Sequence, residues 1–369
     1  MQITEVTVFT YKANYNYGTY TMSGGRVNDG EPSLVIRIRT DSGIEGWAEN
    51  APLGSDYLPS SFTGELAALK ELSPKILGLD PRSPASVAAV LDRHMLSGLA
   101  AKSIIDMACW DILGKSVGLP THVLLGGNLA KEVPAFCVIG FGDPVSAVKK
   151  AKAEAAKGVI AMQLKVGDDP LEDACRIRAI YEALPKNVRL FPDANTGWNI
   201  EQAVTYCRAL GQDITIPLEQ PCRTLADSAE VGRRTGVPII ADECIFTVAD
   251  LVAAHKAGIT GVNIKLSRVG GFTKARILRD TAVALDMMVT VDDTWGCALT
   301  TAQNTQLAAS TRPDRLRAVD IYTEWTNPMI ADVARMQPNG FVVPDDLPGN
   351  GFGTINQDIL GEPLFTIVA

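Results

Sequence analysis

Short apolar runs that end on a charged residue recur through the second part of the chain. The first of them ends on Lys165 and is followed at once by a glycine turn. Later runs end in the same way at Asp193, Glu219, Asp242 and Lys265. These ends lie about 25 residues apart, which is the length of one βα unit. A closed series of such units predicts a (β/α)8 barrel, whose chemistry sits where the strands end.

The predicted barrel contains eight strands, the first at residues 133–139 and the last at residues 317–322. Between the first two strands, Asp143 and Pro144 predict a helix start, because an acidic cap followed by proline favours helix initiation. Helical patterns fill the later gaps, at residues 171–184, 199–210, 225–235, 247–257, 272–286 and 297–310. We expect the barrel to span residues 129–342.

The first part of the chain does not follow this period and predicts a small α+β capping domain. Residues 2–10 alternate as a strand, and residues 34–48 indicate a hairpin around a tight turn. Helical patterns follow at residues 62–76, 84–98 and 99–116. We expect this domain to occupy residues 1–128 and to be completed by the tail, residues 343–369.

Two stretches of the capping domain show neither helical nor strand periodicity: residues 15–25, the first lid loop, and residues 49–61, the second lid loop. Loops held on a scaffold are where recognition residues accumulate. We therefore expect these loops to cover the substrate, with Tyr20 and Tyr57 as contacts. The alternative is that both are surface loops without a role in recognition.

Composition narrows the class of protein. The chain has 369 residues, 46% of them hydrophobic and 21% charged, which suits a globular protein with a barrel and a second domain. A net charge of -8 without a Lys/Arg cluster argues against a nucleic-acid partner. Neither a membrane-spanning run nor a signal peptide is visible, so we expect a cytoplasmic protein, and we expect a homo-oligomer. The seven cysteines are scattered singly, which is typical of free thiols.

The three acidic strand ends predict a metal site. Asp193, Glu219 and Asp242 end successive strands, so their carboxylates should converge on one rim, where three hard oxygen ligands suit Mg²⁺ rather than zinc. None of the three histidines ends a predicted strand, which disfavours zinc and histidine-activated nucleophiles. Taken singly, each carboxylate could instead be an ion pair or a helix cap. Asn195 and Glu243 lie just beyond these ligands and are expected to support them.

The two basic strand ends predict an acid/base pair. Lys165 and Lys265 end strands two and six of the same barrel, hence opposite sides of its rim. Mg²⁺ and mutual crowding should lower a lysine pKa toward the range of about 7 to 8 that proton transfer needs. The expected substrate is a small amino-acid carboxylate, whose α-proton is removed while the metal stabilises an enediolate. A lone lysine at a strand end would more often be structural.

Together these features resemble the enolase superfamily, which combines a capping domain with a barrel carrying acid/base residues and Mg²⁺ ligands. The resemblance covers essentially the whole chain, including residues 105–115 and 124–127. The two lysines are similar to those of the muconate-lactonizing branch, whereas mandelate racemase has a histidine at the end of strand seven. Here residues 292–295 read Asp-Asp-Thr-Trp. Gln163 stands where many relatives carry a lysine, which leaves Lys165 without that cationic neighbour; like Asn195 and Glu243, it is expected to support the site.

Four motifs, at residues 163–165, 219–222, 265–271 and 292–296, are similar to those of superfamily enzymes that act on proline derivatives. The resemblance implies Mg²⁺-dependent dehydration of cis-3-hydroxy-L-proline to Δ1-pyrroline-2-carboxylate. The main alternative is 2-epimerisation of proline or hydroxyproline betaine, with dipeptide epimerisation and cycloisomerisation behind it.

Several further residues are expected to contact the substrate. Asp293, Thr294 and Trp295 follow the seventh strand, and the rings of Trp295 and Trp325 could pack around a cationic nitrogen. A hypothesis from another class is a binding or regulatory protein that kept the barrel and lost the chemistry. Such a loss should show as a missing lysine or metal ligand, and all five are present.

Overall fold

The structure is a computed structural model that describes residues 1–369, and it begins with a mixed capping domain. Its first, fourth and fifth strands form an antiparallel sheet, in which the first strand pairs along nearly its whole length with the fourth. The elements of this part are β1 (Ile3–Tyr15), β2 (Tyr20–Thr21), β3 (Val27–Asn28), β4 (Gly30–Thr40), β5 (Glu45–Asn50), α1 (Phe62–Ile76), α2 (Pro84–His94), α3 (Leu99–Val117) and α4 (Thr121–Leu124).

The centre of the molecule is a closed barrel of eight parallel strands, as the strand-end pattern predicted. Its strands are β6 (Val133–Ile139), β7 (Ala161–Lys165), β8 (Arg189–Asp193), β9 (Leu218–Glu219), β10 (Ile239–Ala241), β11 (Gly261–Lys265), β12 (Met288–Asp292) and β13 (Leu316–Asp320). The intervening helices are α5 (Pro144–Ala156), α6 (Pro170–Ala183), α7 (Ile200–Leu210), α8 (Leu225–Thr235), α9 (Val248–Lys256), α10 (Leu266–Val269), α11 (Phe272–Ala284) and α12 (Ala298–Ala309).

Side-chain caps fix where several barrel helices begin. The Asp143 carboxylate accepts hydrogen bonds from the first free backbone N–H groups of α5, and Asp169 does the same for α6. In both helices a proline follows the cap, where its missing N–H costs nothing. Asn199 and Thr247 start α7 and α9 with reciprocal capping boxes. These starts hold each βα turn at the rim where the charged strand ends lie.

The last part of the chain, from residue 326 onward, returns to both domains. It contains β14 (Thr326–Asn327), β15 (Phe341–Val342), α13 (Gln357–Leu360) and β16 (Phe365–Val368). Strands β14 and β16 pair with β1 of the capping sheet, whereas β15 pairs antiparallel with barrel strand β6. The pairing of β16 agrees with a tail that completes the capping domain. The domain boundaries at 128/129 and 342/343 remain predictions.

Two differences from the sequence expectations concern element ends. Helix α2 stops at His94 instead of reaching residue 98, because Met95 is extended and Gly98, at φ 69°, caps the next helix in the left-handed region. The eighth strand ends at Asp320, and Tyr322 already belongs to a short 3₁₀ turn. This second difference places Asp320, not Tyr322, at the active rim.

Two hydrophobic cores hold the domains together. The larger contains 72 buried residues and runs from the capping sheet through the barrel. The second contains 18 and joins the first lid loop to the barrel through Tyr20, Met22 and Trp295. The capping domain is therefore packed directly onto the end of the barrel that carries the charged strand ends. No helix is both long and apolar enough to cross a membrane.

Candidate active site

The five charged strand ends lie together at one end of the barrel. Lys165, Asp193, Glu219 and Lys265 are the last residues of β7, β8, β9 and β11, and Asp242 directly follows β10. Strands β7 and β11 stand four places apart in the ring of eight, so the two lysines occupy opposite sides. The three carboxylates lie on the strands between them, as the sequence pattern predicted.

The first lysine is held by two side chains of the next βα turn. Lys165 is buried, and its Nζ donates to Asp193 Oδ2 at 2.6 Å and to Asn195 Oδ1 at 3.0 Å. Asn195 in turn donates from Nδ2 to Glu243 Oε1 at 3.0 Å. The ring of Tyr20 lies over the ammonium, with its centroid 6.0 Å from Nζ. The lysine, the amide and the lid tyrosine form one connected group.

The second lysine has a matching environment on the other side. Lys265 Nζ donates to Asp292 Oδ2 at 2.7 Å and lies 3.4 Å from Asp242 Oδ2. The ring of Tyr57, from the second lid loop, has its centroid 5.6 Å from this Nζ. Tyr57 also donates from its hydroxyl to Asp242 Oδ2 at 3.5 Å. Each lid loop therefore supplies one tyrosine to one lysine.

The pKa values of both lysines are raised in this structure, whereas the sequence suggested lowered values. Burial by itself lowers the pKa of Lys165, but the charge and hydrogen bond of Asp193 outweigh burial and raise the pKa above its ordinary value. The same balance, with Asp242 and Asp292 as the main negative partners, raises the pKa of Lys265 well above its ordinary value. The expectation of lowered values included the charge of Mg²⁺ and stays a prediction for the metal-bound site; among the protein's own groups, the carboxylates that contact the lysines dominate.

Glu219 provides the clearest evidence that the site can hold a cation. Its Oε1 accepts hydrogen bonds from Gln163 Nε2 at 3.1 Å and Asn263 Nδ2 at 2.6 Å, whereas its Oε2 is buried without a hydrogen-bond partner. Burial, followed by the charges of Asp193 and Asp242, raises the pKa of Glu219 well above its ordinary value. A buried carboxylate oxygen with no donor fits a metal ligand, because a cation would supply the missing partner.

The other two carboxylates are held through both oxygens. Asp193 Oδ1 accepts from the backbone N–H of Asn195 at 2.9 Å, and Asp242 Oδ1 pairs with Arg268 Nη1 at 2.5 Å. In each case Oδ2 lies against a lysine. Partners of this kind orient metal ligands, and a cation bound here would share each Oδ2 with the lysine. Three carboxylates are donors that suit Mg²⁺, but no three of these side chains are gathered closely enough in this structure to form a metal-binding group.

Three residues predicted to support the ligands lie beside them, and their support of a bound metal stays a prediction. Gln163 contacts Glu219, and Asn195 links Lys165 to Glu243. Burial, then the charges of Asp242 and Asp193, raises the pKa of Glu243 to about 8. At neutral pH Glu243 therefore adds little negative charge beside the ligands, and it accepts the hydrogen bond that orients the Asn195 amide.

The predicted substrate contacts all line one small pocket, together with both lysines: Tyr20, Tyr57, Asp293, Thr294 and Trp295. The Asp293 carboxylate, however, already accepts hydrogen bonds from Ser267 and from the backbone N–H of Thr294. Its contacts support a positioning role on the β12–α12 turn. A direct contact between Asp293 and the substrate remains a prediction.

Thr294 and Trp295 join the barrel to the capping domain. Thr294 Oγ1 donates to the Ala51 carbonyl at 2.8 Å, and Trp295 Nε1 donates to the Ala13 carbonyl at 2.9 Å. Their polar atoms therefore face the capping domain, and only the remaining surfaces are available to a ligand. The ring of Trp295 packs edge-on against Tyr20 and Trp325, with centroids 5.6 and 4.9 Å away.

Sequence reasoning missed three residues of the site. Arg268 is the main cationic partner of Asp242, and Asp292 is the main partner of Lys265. Asp320 ends the eighth strand within the same pocket, and its carboxylate accepts a 3.3 Å hydrogen bond from Trp325 Nε1. Burial, then the nearby Asp292 charge, raises its pKa well above the ordinary value. Its place at a strand end was the signal that could have identified it.

Comparisons with known proteins agree with this geometry. Residues 4–126 match the N-terminal domain of mandelate racemase/muconate lactonizing enzymes, and residues 146–358 match the family described as enolase C-terminal domain-like. The chain belongs to the mandelate racemase/muconate lactonizing enzyme family of the enolase superfamily. It is accordingly an enzyme with a (β/α)8 barrel and a capping domain.

Individual relatives cover most or all of the chain. It is 37% identical to a cis-3-hydroxy-L-proline dehydratase of Roseibium aggregatum, over 99% of both chains. An N-succinyl-L-Arg/Lys racemase of Bacillus cereus is 30% identical over 74% of this chain and 75% of its own. The fold is similar, at a TM-score of 0.96 and 32% identity, to a mandelate racemase/muconate-lactonizing enzyme of Roseovarius nubinhibens complexed with magnesium, with 100% of both chains covered.

Proposed function

We propose that the protein dehydrates cis-3-hydroxy-L-proline to Δ1-pyrroline-2-carboxylate. The observation that carries the proposal is the pair of buried lysines on opposite sides of one pocket, with three carboxylates on the strands between them. The similarity to a cis-3-hydroxy-L-proline dehydratase over nearly the whole chain supports the choice of substrate.

The stereochemistry of the substrate requires groups on both faces of the ring. In cis-3-hydroxy-L-proline the hydroxyl and the carboxylate share one face, so the α-proton lies on the other and loss of water is anti. Lys165 takes the proton from C2, the C2–C3 double bond forms, and Lys265 protonates the hydroxyl that leaves C3 as water. The resulting enamine then tautomerises to the cyclic imine. Lys265 enters the reaction protonated, and its contact with Asp292, which is not one of the three proposed ligands, stabilises the ammonium.

The three carboxylates would hold Mg²⁺ in this reaction. Bound there, Mg²⁺ would stabilise the negative charge on the substrate carboxylate as the α-proton leaves, and it would share the Asp193 charge that raises the pKa of Lys165. The lid tyrosines lie over the two lysines, and the Trp295 and Trp325 rings line the pocket beside them.

A second candidate is 2-epimerisation of proline or hydroxyproline betaine. The aromatic rings that line the pocket, Tyr20, Tyr57, Trp295 and Trp325, favour a substrate with a cationic nitrogen, because such rings attract a quaternary ammonium. The same lysines would then remove the proton from one face and return one from the other. A racemase among the relatives is consistent with this alternative.

The test is to incubate the enzyme and Mg²⁺ with cis-3-hydroxy-L-proline and with the betaines in D2O, followed by NMR. Loss of the hydroxyl with formation of the imine supports dehydration. A 2-epimer that retains its hydroxyl refutes dehydration and supports the alternative, and no reaction with any proline derivative refutes both.

Variants of the two lysines divide the steps. Lys165→Ala should abolish α-proton exchange, whereas Lys265→Ala should block loss of water and leave residual exchange from the Lys165 face. Each loss should be about 10²-fold or more, as for other general acids and bases. Lys152→Ala is the matched control, since this lysine is exposed on α5.

Homo-oligomerisation remains a separate prediction, which light scattering of the purified protein would check.

A further inference from the structure

Arg26, which directly follows the first lid loop, contacts three separate parts of the molecule. Its Nε and Nη2 donate to the carbonyl and hydroxyl of Ser23 in that loop, at 3.1 and 2.9 Å. Its Nη1 donates to the Asp56 carbonyl of the second lid loop at 3.2 Å. Its Nη2 also donates to the Asn195 carbonyl in the barrel, at 3.1 Å. A single side chain thus joins both lid loops to the rim.

The chemistry of these contacts suits arginine alone. All four acceptors are neutral, and Arg26 forms no salt bridge with any carboxylate, so charge pairing does not explain its position. The planar guanidinium presents five N–H donors in a fixed fork, and here four of them reach acceptors on three segments. Its carbon Cζ also lies 5.6 Å from the ring centroid of Tyr57. A lysine, with one compact ammonium, could not span these positions.

Two contacts of Arg26 lead to the candidate catalytic lysines, one to each. Asn195, whose carbonyl Arg26 binds, accepts a hydrogen bond from Lys165 through its side chain. Tyr57, whose ring Arg26 contacts, lies over Lys265. The two lid loops and the two lysines are therefore connected through one guanidinium.

The first lid loop also sits tightly on the turn that follows Lys165. A Cβ on Gly167 would lie 2.8 Å from Ser23 Cβ and 2.6 Å from the Ala194 carbonyl oxygen, at a φ of +121°. Only glycine permits this approach of the loop to the barrel. Ser23 Oγ lies 3.3 Å from the Asn195 carbonyl, beside the Arg26 contact. The loop tip and the guanidinium therefore bind the same carbonyl of the barrel.

We propose that Arg26 is a positioning residue that closes the two lid loops as one unit over Lys165 and Lys265. It does not touch the reacting atoms. It acts through Asn195 and Tyr57, so removing it frees both loops at once and displaces the groups that hold the lysines. The inference rests on the proposed function only in taking the two lysines as the catalytic pair.

A test without substrate separates this inference from the proposed reaction. Hydrogen–deuterium exchange by mass spectrometry would compare the wild type with Arg26→Ala, Arg26→Lys and the control Arg208→Ala, an exposed arginine on α7. We expect faster exchange in peptides from residues 15–25 and from residues 49–61 in both Arg26 variants, with barrel peptides unchanged. Faster exchange in only one loop, or in neither, overturns the proposal.

A kinetic test then asks whether the closed lid positions the lysines. With a substrate that the wild type turns over, Arg26→Ala should lower kcat/KM for α-deuteration by about 10²-fold, as expected for misplaced reacting groups. Arg26→Lys should not restore activity, whereas added methylguanidinium should restore part of it in Arg26→Ala and none in Arg208→Ala. Unchanged kinetics in Arg26→Ala, or full activity in Arg26→Lys, overturns the proposal. If the wild type processes no proline derivative, the proposed function fails and the exchange experiment alone decides about Arg26.

Discussion

The ion pair between Arg268 and Asp242 offers a quantitative test of how the site is held. The Arg268 side chain is 1% exposed, and its Nη1 lies 2.5 Å from Asp242 Oδ1. Its other donors bind the carbonyls of Ile245 at 2.9 Å and Asn263 at 2.7 Å. Arg268→Met keeps much of the apolar stem and removes all three contacts. The variant therefore isolates the charged group from its packing.

The size of the effect follows from what remains. Removing one partner of a buried ion pair costs about 3–5 kcal/mol, because the other charge stays buried and uncompensated. Lys265 Nζ still lies 3.4 Å from Asp242 and partly compensates it, which favours the lower end of that range. The two carbonyls that lose their donors add to the cost, since buried acceptors without partners are unfavourable. We expect the free energy of unfolding to fall by about 3–4 kcal/mol.

Urea denaturation followed by circular dichroism would measure this change. Arg82→Ala is the matched control, because Arg82 forms an exposed salt bridge with Asp80 and its loss should cost less than about 1 kcal/mol. In Arg268→Met/Asp242→Asn, the loss should be smaller than the sum of the single losses, because neither charge is left alone. A change below about 1 kcal/mol in Arg268→Met, or strict additivity in the double variant, would refute the reasoning.

Three further predictions concern the metal, the lid and pH. Chelation should abolish turnover reversibly, and Asp242→Asn should weaken Mg²⁺ binding in calorimetry by more than about tenfold; full turnover in excess chelator would exclude a metal role. Tyr57→Ala should change the ratio of kcat/KM between proline derivatives more than it changes stability, whereas Tyr20→Ala should also lower the free energy of unfolding by about 3 kcal/mol, because Tyr20 is buried against tryptophans. Unaltered specificity in both variants would remove the loops from recognition. Burial raises the pKa of Asp106 to about 7, so the folded state holds this proton between about pH 4 and pH 7 while the unfolded state releases it. The stability that this group contributes is therefore lost as pH rises through that window. In Asp106→Asn the free energy of unfolding, measured by denaturation, should fall less between pH 5 and pH 8 than in the wild type. An identical pH profile in Asp106→Asn would contradict it.

The strand ends could be predicted from sequence because one physical rule sets them. In a barrel of βα units, each strand is an apolar run and its last residue faces the rim, so the period alone identified Lys165, Asp193, Glu219 and Lys265. Helix starts could be predicted for a local reason: cap residues such as Asp143 decide them without reference to the rest of the fold.

What could not be predicted depends on side chains that turn back across the barrel. Arg268 lies on the short helix α10, and only the path of that helix brings its guanidinium to Asp242. The contacts between the lysines and the aspartates could not be predicted for a related reason. Register in the sheet places Lys165 beside Asp193 and Lys265 beside Asp292, and periodicity does not reveal which charges touch.

Residue 163 is a glutamine where many relatives carry a lysine, and this difference changes the charge around Glu219. A lysine there would bring a further positive charge to Glu219, whereas the glutamine donates one neutral hydrogen bond at 3.1 Å. Asn263, the other donor to Glu219, is also neutral, and Arg317 Nη1 lies 4.0 Å from Oε2, in an ion pair without a hydrogen bond. Burial of a carboxylate whose charge is offset only at this distance is costly, and here two amides orient the side chain without neutralising it. The protein thus bears an electrostatic strain at Glu219 that a divalent cation would relieve, while the two lysines remain paired with aspartates at either side.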